Sequence, residues 1–178
     1  MKKIIAFLFA ASVLHSCNTA SPEKTFDVAA LNCNLIYGFA DGVMEQQLAS
    51  PSIKLVDEKT QATAPMTRKE VIDQKIQIIE ENYEKVKDLA VNDENKAMID
   101  ASKALYEFVL PVYKNEYTDL AKLYDGKAPS DQIETMQKNI AEKYGSQFGQ
   151  LYQAVLTTGK VYAEKNGIQV REVNPSPR

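Results

Sequence analysis

The chain has no tryptophan, a single histidine, His15, and two cysteines, Cys17 and Cys33. These shortages close off most site chemistry before any fold is considered. There are too few histidines for the Glu-x-x-His pairs of a di-iron bundle, for axial haem ligation or for a His/Cys zinc set. Cys-x-x-Cys-His attachment is absent, and no Ser-His-Asp arrangement, glycine-rich phosphate loop or EF-hand loop is visible. Met44, Met66, Met98 and Met136 are scattered, which argues against a thioether copper site. The reading therefore assigns no catalytic residue, no metal and no cofactor. There is no basic run, and 24 acidic residues outnumber 21 basic ones. That balance argues against nucleic acid and against electrostatic attachment to anionic lipid. Seven glycines and seven prolines in 178 residues leave little punctuation, which favours long helices over a sheet.

What is present begins with a secretory signal. Residues 1–17, MKKIIAFLFAASVLHSC, have a Lys-Lys start, an apolar run from Ile4 to Leu14, and small residues before Cys17. The run is too short for an ordinary spanning helix. The stretch Leu14-His15-Ser16-Cys17 resembles the lipobox of bacterial lipoproteins, with His15 the one unusual choice. The resemblance covers residues 1–18 only. It implies cleavage before Cys17, a diacylglycerol thioether on the Cys17 sulfur, and a chain held to a membrane of the cell envelope. A signal peptide then spans 1–16, a lipid-anchored tether 17–24, a helical domain 25–167 and a tail 168–178. Loss of Lys2 and Lys3 lowers the 21 basic residues by two against 24 acidic ones, a net charge of −5. Loss of His15 leaves no histidine. With Cys17 acylated, Cys33 has no intramolecular partner and reads as a small buried hydrophobe.

The domain is organised around residues 93–125. At about 100° per residue, Met98, Ala101, Leu105, Val109, Val112, Leu120 and Leu123 share one face. Tyr106, Tyr113, Tyr117 and Tyr124 line its flank. Asn92 or Asp93 caps the start, and Asp125-Gly126 followed by Pro129 marks the stop. Pro111 costs about 3 kcal/mol in an isolated helix, yet the pattern resumes beyond it, so a kink is expected.

Three other segments share that character. Pro22 to Ala49 reads as one core helix opened by Ser21-Pro22-Glu23, with Asp27, Asn32, Asn34 and Asp41 interrupting it and Gly38 and Gly42 weakening it. Residues 50–66 read as one long connection. Thr67 to Glu70 forms a capping box, after which Ile72, Ile76, Ile79, Tyr83, Val86 and Ala90 recur at 4, 3, 4, 3, 4. A final helix, capped by Ser130 or Asp131, carries Ile133, Met136, Ile140, Tyr144, Phe148, Leu151, Val155 and Tyr162, and stops at Asn166-Gly167. The expected fold is all-α, an antiparallel four-helix bundle with a kinked third helix and one long connection.

One residue breaks the pattern. Glu116 projects into the apolar arc, where a carboxylate is costly unless paired or protonated. Either the Pro111 kink turns it toward solvent or the neighbouring helix supplies partners. Antiparallel pairing of the last two helices sets Glu116 against residues 137–144. The candidate ligand site is Tyr113, Glu116, Gln137 and Tyr144. The functional expectation is a non-catalytic envelope lipoprotein that presents a helical face or groove to an envelope protein. Small-molecule binding at the Tyr and Glu116 site is the alternative. An enzyme using Glu116 as acid or base comes last, because no second catalytic group converges on it.

Overall fold

A computed structural model describes residues 20–170. The signal peptide at 1–16, the lipidation site Cys17 and residues 171–178 of the tail lie outside the described residues. The described chain is mostly helical, with one small two-stranded sheet. Its elements are α1 (Pro22–Ala29), a 3-10 helix (Leu31–Ile36), α2 (Gly42–Ala49), β1 (Ile53–Asp57), β2 (Ala62–Pro65), α3 (Arg68–Lys87), α4 (Lys96–Val112), a π turn (Tyr113–Tyr117), α5 (Thr118–Asp125) and α6 (Ser130–Lys165).

The first limb corrects the expectation of one helix from Pro22 to Ala49. It starts as expected, with the Ser21 hydroxyl accepting from Lys24 N–H at 3.2 Å and Pro22 in the first turn. It then breaks, because Gly38 (φ +85°) and Ala40 (φ +54°) adopt left-handed backbone that no α-helix contains. The polar residues that interrupt its apolar run explain why. Asn32 donates to the Asn82 side chain at 2.9 Å, Asn34 accepts from the Tyr152 hydroxyl at 2.7 Å, and the Asp41 carboxylate caps α2 at Val43 N–H at 2.8 Å. Each is spent on a long-range bond or a new cap, and the backbone bends to reach it. The bend drives Phe39 into the core, where Phe108, Tyr113, Tyr117 and Phe148 surround its ring at centroid distances of 4.9 to 6.0 Å.

The connection at 50–66 is also corrected. It is an antiparallel hairpin pairing Ile53 with Pro65, Lys54 with Ala64 and Leu55 with Thr63, with an irregularity at Val56. Asp57 accepts from Lys59 N–H at 2.8 Å and Thr60 N–H at 3.2 Å to close the turn, and Lys54 pairs with Glu70 on α3.

α3 opens on the expected capping box, Thr67 Oγ1 accepting from Glu70 N–H at 3.1 Å and the Glu70 carboxylate from Thr67 N–H at 2.8 Å. Asp125 at the end of α5 adds two more acceptors, for Arg68 N–H at 2.9 Å and Lys69 N–H at 3.0 Å. α4 begins three residues later than the expected cap region suggests. Asn92 and Asn95 first tie a turn by mutual side-chain to backbone bonds of 2.8 and 3.0 Å. α6 begins with Ser130 and Asp131 already inside its first turn, without a capping bond. It stops where expected, with Gly167 at φ +68° and Ile168 N–H reaching the Ala163 carbonyl at 2.9 Å.

α6 packs chiefly on α4, and α3 packs on both α4 and α5. Ile79, Leu105 and Ile140 belong to one continuous core, which also holds Cys33, buried as expected. α1 presses on the C-terminal part of α6 at Gly159, where a Cβ would come within 3.0 Å of Ala30 Cβ. The start of α1 and the end of α6 therefore share one end of the molecule. The hairpin, the start of α3 and the 126–129 turn share the other.

Candidate functional site

The site is built by Pro111 and its consequence. Proline offers no N–H to the carbonyl four residues back, so the ladder is already loosened at this point. The chain uses the slack to fit one extra residue, and residues 113–117 form a single π turn. The Asn115 side chain donates to the Pro111 carbonyl at 2.9 Å and the Thr118 hydroxyl to the Tyr113 carbonyl at 3.0 Å, satisfying carbonyls that the wider turn exposes.

The added residue changes which side chains face inward. Tyr113 and Tyr117 are fully buried and stack at 4.8 Å, and the Tyr117 hydroxyl accepts from Ala40 N–H at 2.8 Å. Tyr106 is buried as well, so three of the four tyrosines are core residues and not a flank. Burial pushes the Tyr113 and Tyr117 phenols above their ordinary value. Glu116 is turned out of the apolar arc into the seam with α6, with its side chain 26% exposed.

In that seam the Tyr144 hydroxyl donates to the Glu116 carboxylate. Lys143 Nζ lies 3.6 Å from Glu116 Oε1 and 4.8 Å from the Tyr144 ring centroid. Tyr144 and then Glu116 hold the Lys143 ammonium above its ordinary value. Phe108 meets the Tyr144 ring edge-on at 6.0 Å and fixes its plane. An open groove of about 530 Å³ lies here, lined by Glu116, Met136, Asn139, Ile140, Lys143 and Tyr144 among others. A second depression of about 270 Å³ continues it toward Leu123, Asp131 and Thr135, sharing Met136 and Asn139.

Of the four candidate residues, the structure brings Glu116 and Tyr144 into contact. Tyr113 does not line the groove, because it follows Tyr106 by seven residues and shares that residue's buried face. Gln137 is also displaced, donating to the Tyr124 hydroxyl at 2.9 Å. Met136, Asn139, Ile140, Glu142 and Lys143 also line the groove and are absent from the candidate set. All five fall inside or next to the 137–144 window set against Glu116, so their signal is present in the sequence. Chemically, the arrangement is a carboxylate held by a phenol and an ammonium above an apolar floor. It fixes charge and shape, with the Tyr144 phenol hydrogen-bonded to the Glu116 carboxylate. Among the described residues no three His, Cys, Asp or Glu side chains gather as a metal site requires. Among them, too, no helix is long and apolar enough to cross a membrane. The chain matches no protein-family model, no curated protein and no solved structure.

Proposed function

We propose that this chain is a lipid-anchored protein of the cell envelope whose helical domain binds an envelope protein and catalyses nothing. In this reading the α1 to α2 limb, α3, α4 with α5, and α6 form an antiparallel four-helix bundle. The short connections at 88–95 and 126–129 support that arrangement, since they join packed neighbours. The Leu14 to Cys17 motif supports the anchor. The observation that carries the binding role is the open groove between the π turn, α5 and α6. Its floor is Met136 and Ile140, and its rim is fixed by the Tyr144 to Glu116 bond.

Position supports the same reading. Lys143 lies 19 residues before Tyr162, about 28 Å along α6 from the end where the tether enters. In this reading the groove is separated from the tethered end by more than half the length of α6. The test places a photo-crosslinking side chain at Asn139 in the full chain in cells, with Gln74 on the exposed side of α3 as control. A discrete adduct from Asn139 and none from Gln74 is expected. Equal yields at both positions overturn the reading. Cys17→Ser tests the anchor separately: it abolishes fatty-acid labelling and releases the protein from membranes, and retained labelling refutes the anchor.

The groove volume also falls in the range of small-molecule sites. In that second reading Glu116 and Tyr144 supply the polar contacts, and Tyr113 and Gln137 none.

A further inference from the structure

We propose that the occupant of this groove is an extended, basic peptide segment of a protein partner, one carrying two cationic side chains about six residues apart with apolar side chains between them. The inference rests on the binding role proposed above and adds the chemistry of what is bound. Three carboxylates, Glu116, Glu142 and Asp131, line the two joined depressions against one ammonium, Lys143. Glu142 has Lys138 at 3.7 Å, and Glu116 has Lys143 at 3.6 Å with the Tyr144 hydroxyl, so an incoming cation competes with an ammonium at either; Glu116 and Asp131 mark the opposite ends. Between them lie Leu123, Met136 and Ile140. The lining is acidic at its ends, with apolar Leu123, Met136 and Ile140 beside neutral polar Asn139 and Thr135 between them, and its complement is cationic at its ends and uncharged between.

The dimensions select an extended chain. Asp131 and Lys143 are 12 residues apart on α6, about 18 Å. A strand rises about 3.3 Å per residue, so positions six apart are separated by about 20 Å and point to the same side. A seven-residue extended chain therefore matches the length of the furrow and sets both end side chains toward it.

Lys143 gives the proposal a signature. Its ammonium stands 3.6 Å from Glu116, on a side chain 67% exposed, so it occupies the place an incoming cation would take and is cheaply displaced. Removing it strengthens binding of a basic segment, whereas removing Glu116 or Asp131 weakens it.

The test titrates the full chain, purified in mild detergent, with the acetylated peptide Arg-Ala-Leu-Ala-Leu-Ala-Arg at low ionic strength. Binding is followed by nuclear magnetic resonance of the methionine methyl groups. Met136 reports the groove, and the buried Met44 and Met98 report the fold of every variant in the same spectrum. The expected result is a Met136 shift with this peptide and none with its Glu-for-Arg counterpart. Glu116→Gln and Asp131→Asn each weaken binding about two- to five-fold, the size of a solvent-exposed ion pair, and Lys143→Gln tightens it by a similar factor. If Glu116→Gln disturbs the core methyls, Lys143→Gln and the loss of binding with added salt decide the matter. Equal binding of a Gln-for-Arg peptide, weaker binding by Lys143→Gln, or no Met136 shift overturns the proposal. If Asn139 still captures a partner in cells, only the basic class falls and the binding role stands. If capture also fails, both fall.

Discussion

Tyr106 is fully buried, and its hydroxyl has no hydrogen-bond partner among the described residues. The ring itself is well placed, stacked on Tyr83 at 5.8 Å within the core. The Cys33 thiol lies beside the hydroxyl without meeting hydrogen-bond geometry, and donates instead to the Ala29 carbonyl at 3.5 Å. Tyr106→Phe therefore removes one oxygen and nothing else. Burying a hydroxyl without a partner costs about 1–3 kcal/mol. Against its recovery stands the small void the oxygen leaves, worth at most about 1 kcal/mol. The net expectation is a gain of about 1–2 kcal/mol. For a chain of this length each kcal/mol moves Tm by about 2–4 °C, so the melt rises by about 2–8 °C. Urea titration of the full chain in detergent gives the same answer through a higher midpoint at unchanged slope. A loss of 1 kcal/mol or more would refute the reasoning, because it would mean the hydroxyl is bonded in solution. A double-mutant cycle with Cys33→Ala then asks whether sulfur is the acceptor, in which case the coupling exceeds about 0.5 kcal/mol.

Three further outcomes follow from the geometry. Gly38→Ala sets a Cβ 2.6 Å from Val43 Cβ at a left-handed φ, and a loss of at least about 1–2 kcal/mol is expected from the backbone alone. Gly42→Ala meets nothing within 4 Å at the start of α2 and is neutral or mildly stabilising; equal urea midpoints for the two variants would sink the account of the bend. At alkaline pH the phenols of Tyr106, Tyr113 and Tyr117 are held up by burial, and Tyr83 is pushed to about 12 mainly by its bond to Glu107. A raised folded value contributes stability that is complete below the unfolded value of 10.0 and is lost as pH climbs toward and beyond 12. Phenolate absorbance from these residues should thus appear together with loss of helical dichroism, and its appearance near pH 10 in a fully helical protein contradicts the burial. Thr67→Ala removes the hydroxyl of the α3 capping box and lowers stability by about 1 kcal/mol, while Thr67→Ser keeps it; identical melts for both variants refute the cap.

Local rules carried the reading where side chains act on their own neighbourhood. The Thr67 to Glu70 box, the Ile72, Ile79 and Val86 seam and the Gly167 stop were all legible, because each depends on residues within a turn or two. The broken first limb was not, although Gly38 and Asp41 were noticed. Deciding between a helix with weak points and a bend requires knowing that Asn82 and Tyr152 wait to bond Asn32 and Asn34, and those partners are 50 and 118 residues away. The hairpin at 50–66 was missed for a related reason: the strand run Ile53 to Val56 is short, and it faces solvent without an alternating pattern. At the candidate site, Glu116 was flagged correctly as an anomaly. Of its expected neighbours Tyr144 meets it and Tyr113 does not, because Tyr113 lies seven residues beyond Tyr106 on the same buried face.

The added residue has a consequence for how this chain can change. Because the π turn is one residue longer than an α turn, loss of a single codon at Asn115 would let the ladder close at ordinary pitch and leave α5 in its present register against α3. The scaffold would survive, without the Asn115 to Pro111 bond. One triplet thus decides whether this helix carries its wider turn, and neither half of the bundle need shift when it is lost.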